Sequence, residues 1–354
     1  MPTTLAHEKN LLGLTRCELE NLAVDRGQSR FRGRQIYQGL YARRERDFAG
    51  FTDLEAKFRQ YLSAHFAIHY PRIEREILSR DGSIRYLLTL EDGEQVEAVY
   101  MPEENRTTLC ISSQVGCAVD CRFCFTGILG AKRNLTAGEI VGQVLALAVA
   151  RHIPRRARLN VVFMGMGEPL LNYAPVMKAV EILADSAGAA LALRRITVST
   201  SGIIPRIYDM AREAARPRLA VSLNASSDEQ RTALMPINRK YPLQELLRAC
   251  REYPLRPRER LTFEYVLLGG VNDSDADAAR VAELVRGISA KINLIPYNSG
   301  NELPYRSPPL ERVLAFQKTL ADRHVPAFIR VSRGQDIMGA CGQLMLEGVG
   351  KGSL

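Results

Sequence analysis

Three cysteines, Cys117, Cys121 and Cys124, fall within the eight-residue stretch Cys117-Ala-Val-Asp-Cys121-Arg-Phe-Cys124. The chain has four others, Cys17, Cys110, Cys250 and Cys341. An odd total argues against a disulfide framework, and the crowding points to metal or redox chemistry. Thiolates hold iron–sulfur clusters, and C-x3-C-x2-C supplies three of them. One iron of a [4Fe–4S] cubane is then left without a protein ligand. The amino and carboxylate groups of S-adenosylmethionine can chelate that open iron. An electron from the cluster can break the sulfonium C–S bond and leave a 5′-deoxyadenosyl radical. Phe123 would shield such a cluster from water. Two other readings stand beside this one. A structural zinc normally takes four ligands, and no fourth lies close by, the next histidine downstream being His152. Three buried free cysteines would leave the tight spacing unexplained.

These residues need a scaffold, and its pattern changes along the chain. Residues 14–65 carry helical patterning, with Phe31, Ile36, Tyr37, Leu40 and Tyr41 expected on one apolar face and the arginines of residues 26–34 outside it. A helix from Leu54 to His65 follows, opened by Thr52-Asp53. Two strands are expected at Ile84–Leu90 and Val96–Tyr100, introduced by the turn signals Asp81-Gly82 and Asp92-Gly93. From residue 107 strands alternate with helices. The strands are expected at Thr107–Ser112, Leu159–Met164, Arg195–Ser199, Leu219–Leu223, Thr262–Val266 and Lys291–Ile295. The helices are Ala137–Arg151, Ala174–Asp185, Ile204–Ala214, Leu243–Arg251, Asp275–Gly287 and Leu310–Arg323. The fold class is therefore α/β, a partial (β/α)6 barrel with a small N-terminal helical module and a β-hairpin extension. The expected division is residues 1–95 for the accessory module, 96–345 for the barrel core and 346–354 for a loose tail. Parallel barrels place their chemistry at the C-terminal ends of the strands.

Several further residues have two readings each. Gly165-Met166-Gly167-Glu168-Pro169 follows an apolar strand; its glycines let backbone approach a ligand, or make an ordinary tight turn. Glu97 faces away from Val96 and Ala98 on its strand, which by pattern alone is a solvent-facing carboxylate. Cys110 and Cys341, taken singly, are inert small residues. Cys17 and Cys250 are read as structural. The net charge of +9, from 48 Lys plus Arg against 39 Asp plus Glu, favours a polyanionic partner but equally suits a basic enzyme that meets no nucleic acid. The arginines of residues 26–34 and Lys132-Arg133 are either phosphate readers or a solvated surface. No apolar run approaches the ~20 residues that span a bilayer. The N-terminus lacks a charged-then-apolar leader, so a cytoplasmic location without membrane attachment is expected.

The Cys-x3-Cys-x-Phe-Cys motif entering a βα chain resembles the radical S-adenosylmethionine superfamily. Reading outward narrows the resemblance to the RlmN family of dual-specificity RNA methyltransferases. The stretches that carry it are Thr108-Leu-Cys110-Ile-Ser-Ser-Gln-Val-Gly-Cys117, Met164-Gly-Met-Gly-Glu168-Pro, Val198-Ser199-Thr-Ser201-Gly202, Met235-Pro-Ile-Asn238-Arg-Lys-Tyr241, Ile292-Asn-Leu-Ile-Pro296-Tyr-Asn298 and Arg333-Gly-Gln-Asp-Ile-Met-Gly-Ala-Cys341-Gly-Gln-Leu344. Phe31-Arg-x-x-Gln-Ile-Tyr37 belongs with them, so the resemblance runs over nearly the whole chain.

The resemblance implies one [4Fe–4S] cluster on Cys117, Cys121 and Cys124. It implies S-adenosylmethionine contacts at Gly167, Glu168, Ser199, Ser222, Leu223, Asn224 and Asn298, although many relatives carry histidine where this chain has Asn224. Carbon 2 of adenine is electron-poor and has no lone pair for ordinary methyl transfer, which explains the need for a radical. By resemblance, one S-adenosylmethionine methylates Cys341 and a second is cleaved to activate that methyl group, so two are consumed per methylation. The resulting methylene radical adds to carbon 2, and Glu97 acts as general base. Cys110 closes a transient disulfide with Cys341 and releases 2-methyladenine. The implied substrates are adenosine 2503 of 23S rRNA and adenosine 37 of some tRNAs, reached with the base flipped out. The implied partners are those RNAs and an external electron donor such as flavodoxin or ferredoxin, with the protein a monomer. Two rivals remain: a Cfr-type enzyme acting at carbon 8, whose chains usually read Gln-Cys-Gly-Cys where this one reads Gln114-Val-Gly-Cys117, and a zinc-containing nucleic-acid-binding protein.

Overall fold

Thr15 opens the first helix, α1 (Arg16–Val24), with a reciprocal cap: its hydroxyl accepts from the Glu18 N–H, and the Glu18 carboxylate accepts from the Thr15 N–H at 2.7 Å. Two donors that a helix start would orphan are thereby satisfied. α2 (Arg30–Gln38) packs on α1 so tightly that a Cβ on Gly33 would lie 2.4 Å from Glu20 Cα. Ile36, Tyr37, Leu40 and Tyr41 are buried as expected, but Phe31 is 57% exposed. Its position on the first turn of α2 puts it off the face that Ile36 and Tyr37 share. α3 (Ala56–His65) completes the module. The computed structural model describes residues 9–298, 303–330, 332–339 and 342–344.

The rest of the fold is built on one ten-stranded sheet whose spatial order follows the chain. Its strands are β1 (Arg72–Leu78), β2 (Ile84–Thr89), β3 (Gln95–Glu103), β4 (Arg106–Cys110), β5 (Leu159–Phe163), β6 (Ile196–Thr200), β7 (Arg218–Ser222), β8 (Leu261–Leu267), β9 (Ala290–Pro296) and β10 (Ala327–Ile329). β1 to β4 pair antiparallel, and every pairing from β4 to β10 is parallel. The expected hairpin is thus continuous with the expected parallel sheet. Two strands escaped the sequence reading. β1 is rich in charge and mostly exposed, a composition that blunts a sheet edge. β10 is only three residues long and adds a seventh parallel strand at the other edge.

The crossovers carry α4 (Ala137–Ala150), α5 (Tyr173–Ala184), α6 (Ile204–Ala211), α7 (Asp228–Leu234), α8 (Leu243–Glu252), α9 (Asp275–Leu284) and α10 (Leu310–Asp322). α4 is buried over most of its circumference, as a helix apolar on all sides must be. On its N-terminal turns it meets Leu12, Gly13 and Pro71, with Gly138 and Gly142 leaving room for the approach. Tyr37 of the N-terminal module donates to the Ile182 carbonyl of α5 at 3.3 Å. Helical module and sheet therefore share one apolar core. Among the described residues no helix is long and apolar enough to cross a membrane.

Candidate active site

Strand register decides which polar side chains meet. Val99 pairs with Cys110, so Glu97, two residues before Val99, projects from the same sheet face as Cys110. Cys110 is level with Val162, Val162 with Thr197, and Thr197 with Arg218. Ser199, two residues beyond Thr197, and Ser222, four beyond Arg218, project from that face too. The sheet thus brings four of the sequence-predicted residues to one face.

Glu97 is not a solvent-facing carboxylate. It is 2% exposed, and the Arg85 guanidinium of β2 donates to its Oε1 at 3.0 Å. Alternation alone misplaces it because this sheet is covered on both faces here, where Val96, Glu97, Ala98 and Val99 are all buried. Breaking a buried ion pair by removing one partner is costly. Arg85→Met is expected to lower unfolding stability by about 3 kcal/mol in denaturant titration. A loss below about 1 kcal/mol would show that Glu97 does not depend on Arg85.

Beyond β4 the chain forms a short ribbon, Gln114–Gly116 against Ala131–Asn134, whose connecting loop holds the three cysteines. The loop is fastened on several sides. Cys117 N–H donates to Gly130 O at 2.8 Å, Cys124 N–H to Cys121 O at 3.0 Å, and Arg122 N–H to Leu234 O at the end of α7 at 2.9 Å. Phe123 is buried with Leu234, Met235, Leu268 and Tyr297 in a small apolar cluster of their own, and Cys121 and Cys124 pack against it. The shielding role expected of Phe123 has this geometry behind it.

Burial pushes the Cys117 thiol up to about 12 and raises Cys121 and Cys124 as well; for Cys117 and Cys121 the negative charge of the neighbouring thiolates adds to the rise. Three thiolates side by side are unfavourable there unless a bound group brings positive charge, which deprotonates thiols outright. Among the described residues no three His, Cys, Asp or Glu side chains converge as a single metal ion requires. A cubane makes a different demand, since each thiolate meets its own iron. The donor set fits an iron–sulfur cluster.

The turn after β5 is strapped to the stem of this loop. Ser113 N–H donates to Met166 O at 2.8 Å, Met166 N–H to Ser112 Oγ at 2.8 Å and Glu168 N–H to Gln114 Oε1 at 2.8 Å. Gly167 is required here: its φ is +98°, and a Cβ would lie 2.7 Å from Gln114 N. Glu168 is buried, which raises its pKa against the hydrogen bonds that favour the carboxylate. Its Oε2 accepts from Ser201 N–H at 2.7 Å and Ser201 Oγ at 2.8 Å, and its Oε1 from Leu170 N–H at 3.0 Å. The carboxylate therefore ties the end of β5 to the end of β6.

Asn224 follows β7 and Leu223, which is fully buried. Its φ of +56° is one that asparagine tolerates better than most residues. Its Oδ1 accepts from Val266 N–H at 2.8 Å, which joins β7 to β8. Asn298, beyond β9, donates to Ser332 Oγ at 2.9 Å and accepts from Gln335 Nε2 at 2.7 Å. It fastens the C-terminal segment to the sheet. Cys341 lies outside the described residues. Next to it, Gly342 O accepts from Phe125 N–H at 2.8 Å, one residue past Cys124.

Four of the basic residues singled out from sequence have acidic neighbours, while Arg26 lies over the Tyr61 ring and Arg32 donates to Gln35 Oε1 and Asp53 O. Arg30 and Arg34 pair with Glu20 at 3.5 and 2.9 Å, Lys132 with Glu94 at 2.9 Å, and Arg133 with Asp92 at 2.6 Å and Glu139 at 2.8 Å. Arg30, Arg34 and Lys132 are largely solvent-exposed in these pairs, whereas Glu20, Arg133 and Glu139 are mostly buried. Sequence reasoning missed Arg85, Ser201 and the wholly buried Arg231 of α7. Arg85 and Arg231 lie in no motif whose spacing reveals them, and Ser201, although inside the Val198–Gly202 stretch, takes its role from Glu168 and Arg231 on other elements.

Residues 111–282 match the Radical SAM superfamily, and residues 9–68 match the Ribosomal RNA large subunit methyltransferase N-terminal domain. A probable dual-specificity RNA methyltransferase RlmN from Koribacter versatilis is 50% identical over 335 residues, covering 90% of this chain and 96% of that protein. The dual-specificity RNA methyltransferase RlmN from Paracoccus denitrificans is 49% identical over 353 residues, covering 95% of this chain and 89% of that one. The crystal structure of a radical SAM methyltransferase from Sphaerobacter thermophilus superposes with a TM-score of 0.90 at 45% identity, over 95% of this chain and 99% of the other.

Proposed function

We propose, from the premise that this chain belongs to the RlmN family of radical S-adenosylmethionine RNA methyltransferases, that it methylates carbon 2 of adenine in RNA. Its substrates are adenosine 2503 of 23S rRNA and adenosine 37 of some tRNAs. The observation that carries this reading is the single sheet face shared by Glu97, Cys110, Ser199 and Ser222, leading to a loop of three cysteines.

Cys117, Cys121 and Cys124 would hold one [4Fe–4S] cluster per chain. When bound, the cluster supplies the electron that cleaves S-adenosylmethionine to a 5′-deoxyadenosyl radical. The turn at Gly167 and the ends of β6, β7 and β9, at Ser199, Ser222 to Asn224 and Asn298, would surround that cofactor, with Glu168 holding two of the strand ends in place. Cys341 accepts the first methyl group, as thiolates are strong nucleophiles. Glu97, held by Arg85, takes the proton from the adenine ring. Cys110 resolves the bond between Cys341 and the product. Two S-adenosylmethionine molecules are consumed per methylation, and a flavodoxin or ferredoxin supplies electrons. Residues 1–95 act as the RNA-binding accessory module and 96–345 as the core, in a cytoplasmic monomer; the expected tail, 346–354, lies outside the described residues.

Anaerobic reconstitution, incubation with each RNA and mass spectrometry of the digested product test the proposal. The expected product is 2-methyladenosine. Production of 8-methyladenosine instead would move the chain to the Cfr-type reaction, and about one zinc per chain with neither iron nor sulfide would remove the radical enzyme altogether.

A further inference from the structure

Arg231 of α7 has no exposed surface. Its guanidinium donates to Ser201 O at 2.6 Å, Ser222 O at 3.1 Å, Leu223 O at 3.2 Å and Asn238 Oδ1 at 2.9 Å. All four acceptors are neutral. An ion taken out of water costs several kcal/mol even after relaxation, unless an opposite charge offsets it. Burial draws the Arg231 pKa down to about 10, which leaves it a cation at neutral pH.

The surroundings show where the opposite charge belongs. The Asp228 carboxylate reaches Arg231 only through Asn238, whose amide donates to Asp228 Oδ1 at 2.8 Å, so among the described residues no carboxylate pairs with the guanidinium directly. α7 ends at Leu234, whose carbonyl holds the cysteine loop through Arg122 N–H at 2.9 Å. Leu234 and Met235 pack with Phe123 against Cys121 and Cys124. Ser201, one acceptor for Arg231, is also the residue that holds Glu168. Arg231 thus joins the ends of β6 and β7 and sits on the helix that backs the cysteine loop. Three thiolates around a cubane core carry net negative charge, and reduction adds one more.

We propose that Arg231 is the buried counter-charge of the iron–sulfur site, a positioning residue whose cation favours the reduced state that an external one-electron donor produces. This inference rests on the cluster reading of Cys117, Cys121 and Cys124. Iron and sulfide content of the wild-type chain tests that reading by itself, before any variant is made.

The test of Arg231 compares Arg231→Gln with Arg231→Lys after anaerobic reconstitution, using redox titration followed by electron paramagnetic resonance. Glutamine removes the charge and keeps one amide donor; lysine keeps the charge and loses the fork. In Arg231→Gln the ratio of reduced to oxidised cluster at a fixed potential is expected to fall about tenfold, a shift of about 59 mV to more negative potential for one electron. Arg231→Lys is expected to stay within about threefold of the wild type, because charge rather than fork geometry sets the field. Unchanged potential in Arg231→Gln, or equal shifts in both variants, would overturn the proposal in favour of a purely hydrogen-bonding role. If Arg231→Gln takes up no cluster, Arg231→Lys decides. Loading with a near-wild-type ratio supports the proposal; failure to load despite a native circular dichroism spectrum and thermal midpoint overturns it.

Discussion

Cys121→Ala is expected to leave a folded chain that reconstitutes with sharply less iron and sulfide than the wild type and turns over no RNA, with activity down on the order of a thousandfold or more. The size of the effect follows from the ligand count. In the proposed site three thiolates are the protein's contribution to the cubane, so the loss of one leaves two. The fold has less at stake. The loop backbone is held by its own hydrogen bonds to Gly130, Cys121 O and Leu234, none of which uses the Cys121 side chain. Stability should change by about 1 kcal/mol, an ordinary point-mutant effect. Cys250→Ala is the comparison: this cysteine is buried on α8, whereas Cys121 is only half-buried, and Cys250 is not among the proposed ligands. It should retain iron, sulfide and activity. Iron analysis, sulfide analysis and an RNA methylation assay on the same samples check both statements. Wild-type iron content in Cys121→Ala would remove that residue from the ligand set.

The two variants also mark what a sequence can and cannot reveal. Cys117, Cys121 and Cys124 are legible because their chemistry needs them within one loop, where spacing is visible. The βα alternation is legible because each parallel strand and its crossover helix carry their own periodicity. Glu97 is different. Its position on a strand was readable, but its burial and its Arg85 partner come from coverage of the sheet and from β2–β3 pairing, both tertiary facts. Arg231 is further out of reach, since its partners belong to the ends of β6 and β7 and to Asn238. An arginine in a polar helical turn reads as solvated until its carbonyl acceptors are placed. β1 and β10 escaped for a simpler reason: edge strands are short or charged, and neither property marks a strand in a single sequence. Glu168 shows a subtler gap. The resemblance pointed to a cofactor contact, while the structure gives its carboxylate three protein donors. The motif located the residue without revealing that it also braces two strand ends.

Cys110→Ala is expected to stop multiple turnover and to accumulate a covalent protein–RNA adduct, visible as an RNase-sensitive shift on a denaturing gel. The reason is the bond that must break last. If Cys341 carries the transferred carbon, its methylene radical adds to adenine. Loss of one electron to a one-electron acceptor and of the carbon-2 proton to Glu97 then leaves the RNA joined to the Cys341 sulfur through a thioether, which water does not readily cleave. Release needs a second sulfur to attack the first. A thiolate at Cys110 forms an S–S bond with Cys341; the S–C bond breaks with its electron pair going to carbon, and that carbon takes up a proton to become the methyl group. An external reductant then restores both thiols. Cys110 is placed for such a role at the end of β4, 8% exposed and on the same sheet face as Glu97. A purely structural Cys110 would give a different outcome: alanine would cost some stability, and turnover would continue without any adduct. That result would sink the resolving assignment. The double variant Cys110→Ala/Cys341→Ala separates the two steps. An adduct in the single variant and none in the double one would require the RNA to be held through Cys341. An adduct that persists in the double variant would place the methyl carrier on another residue.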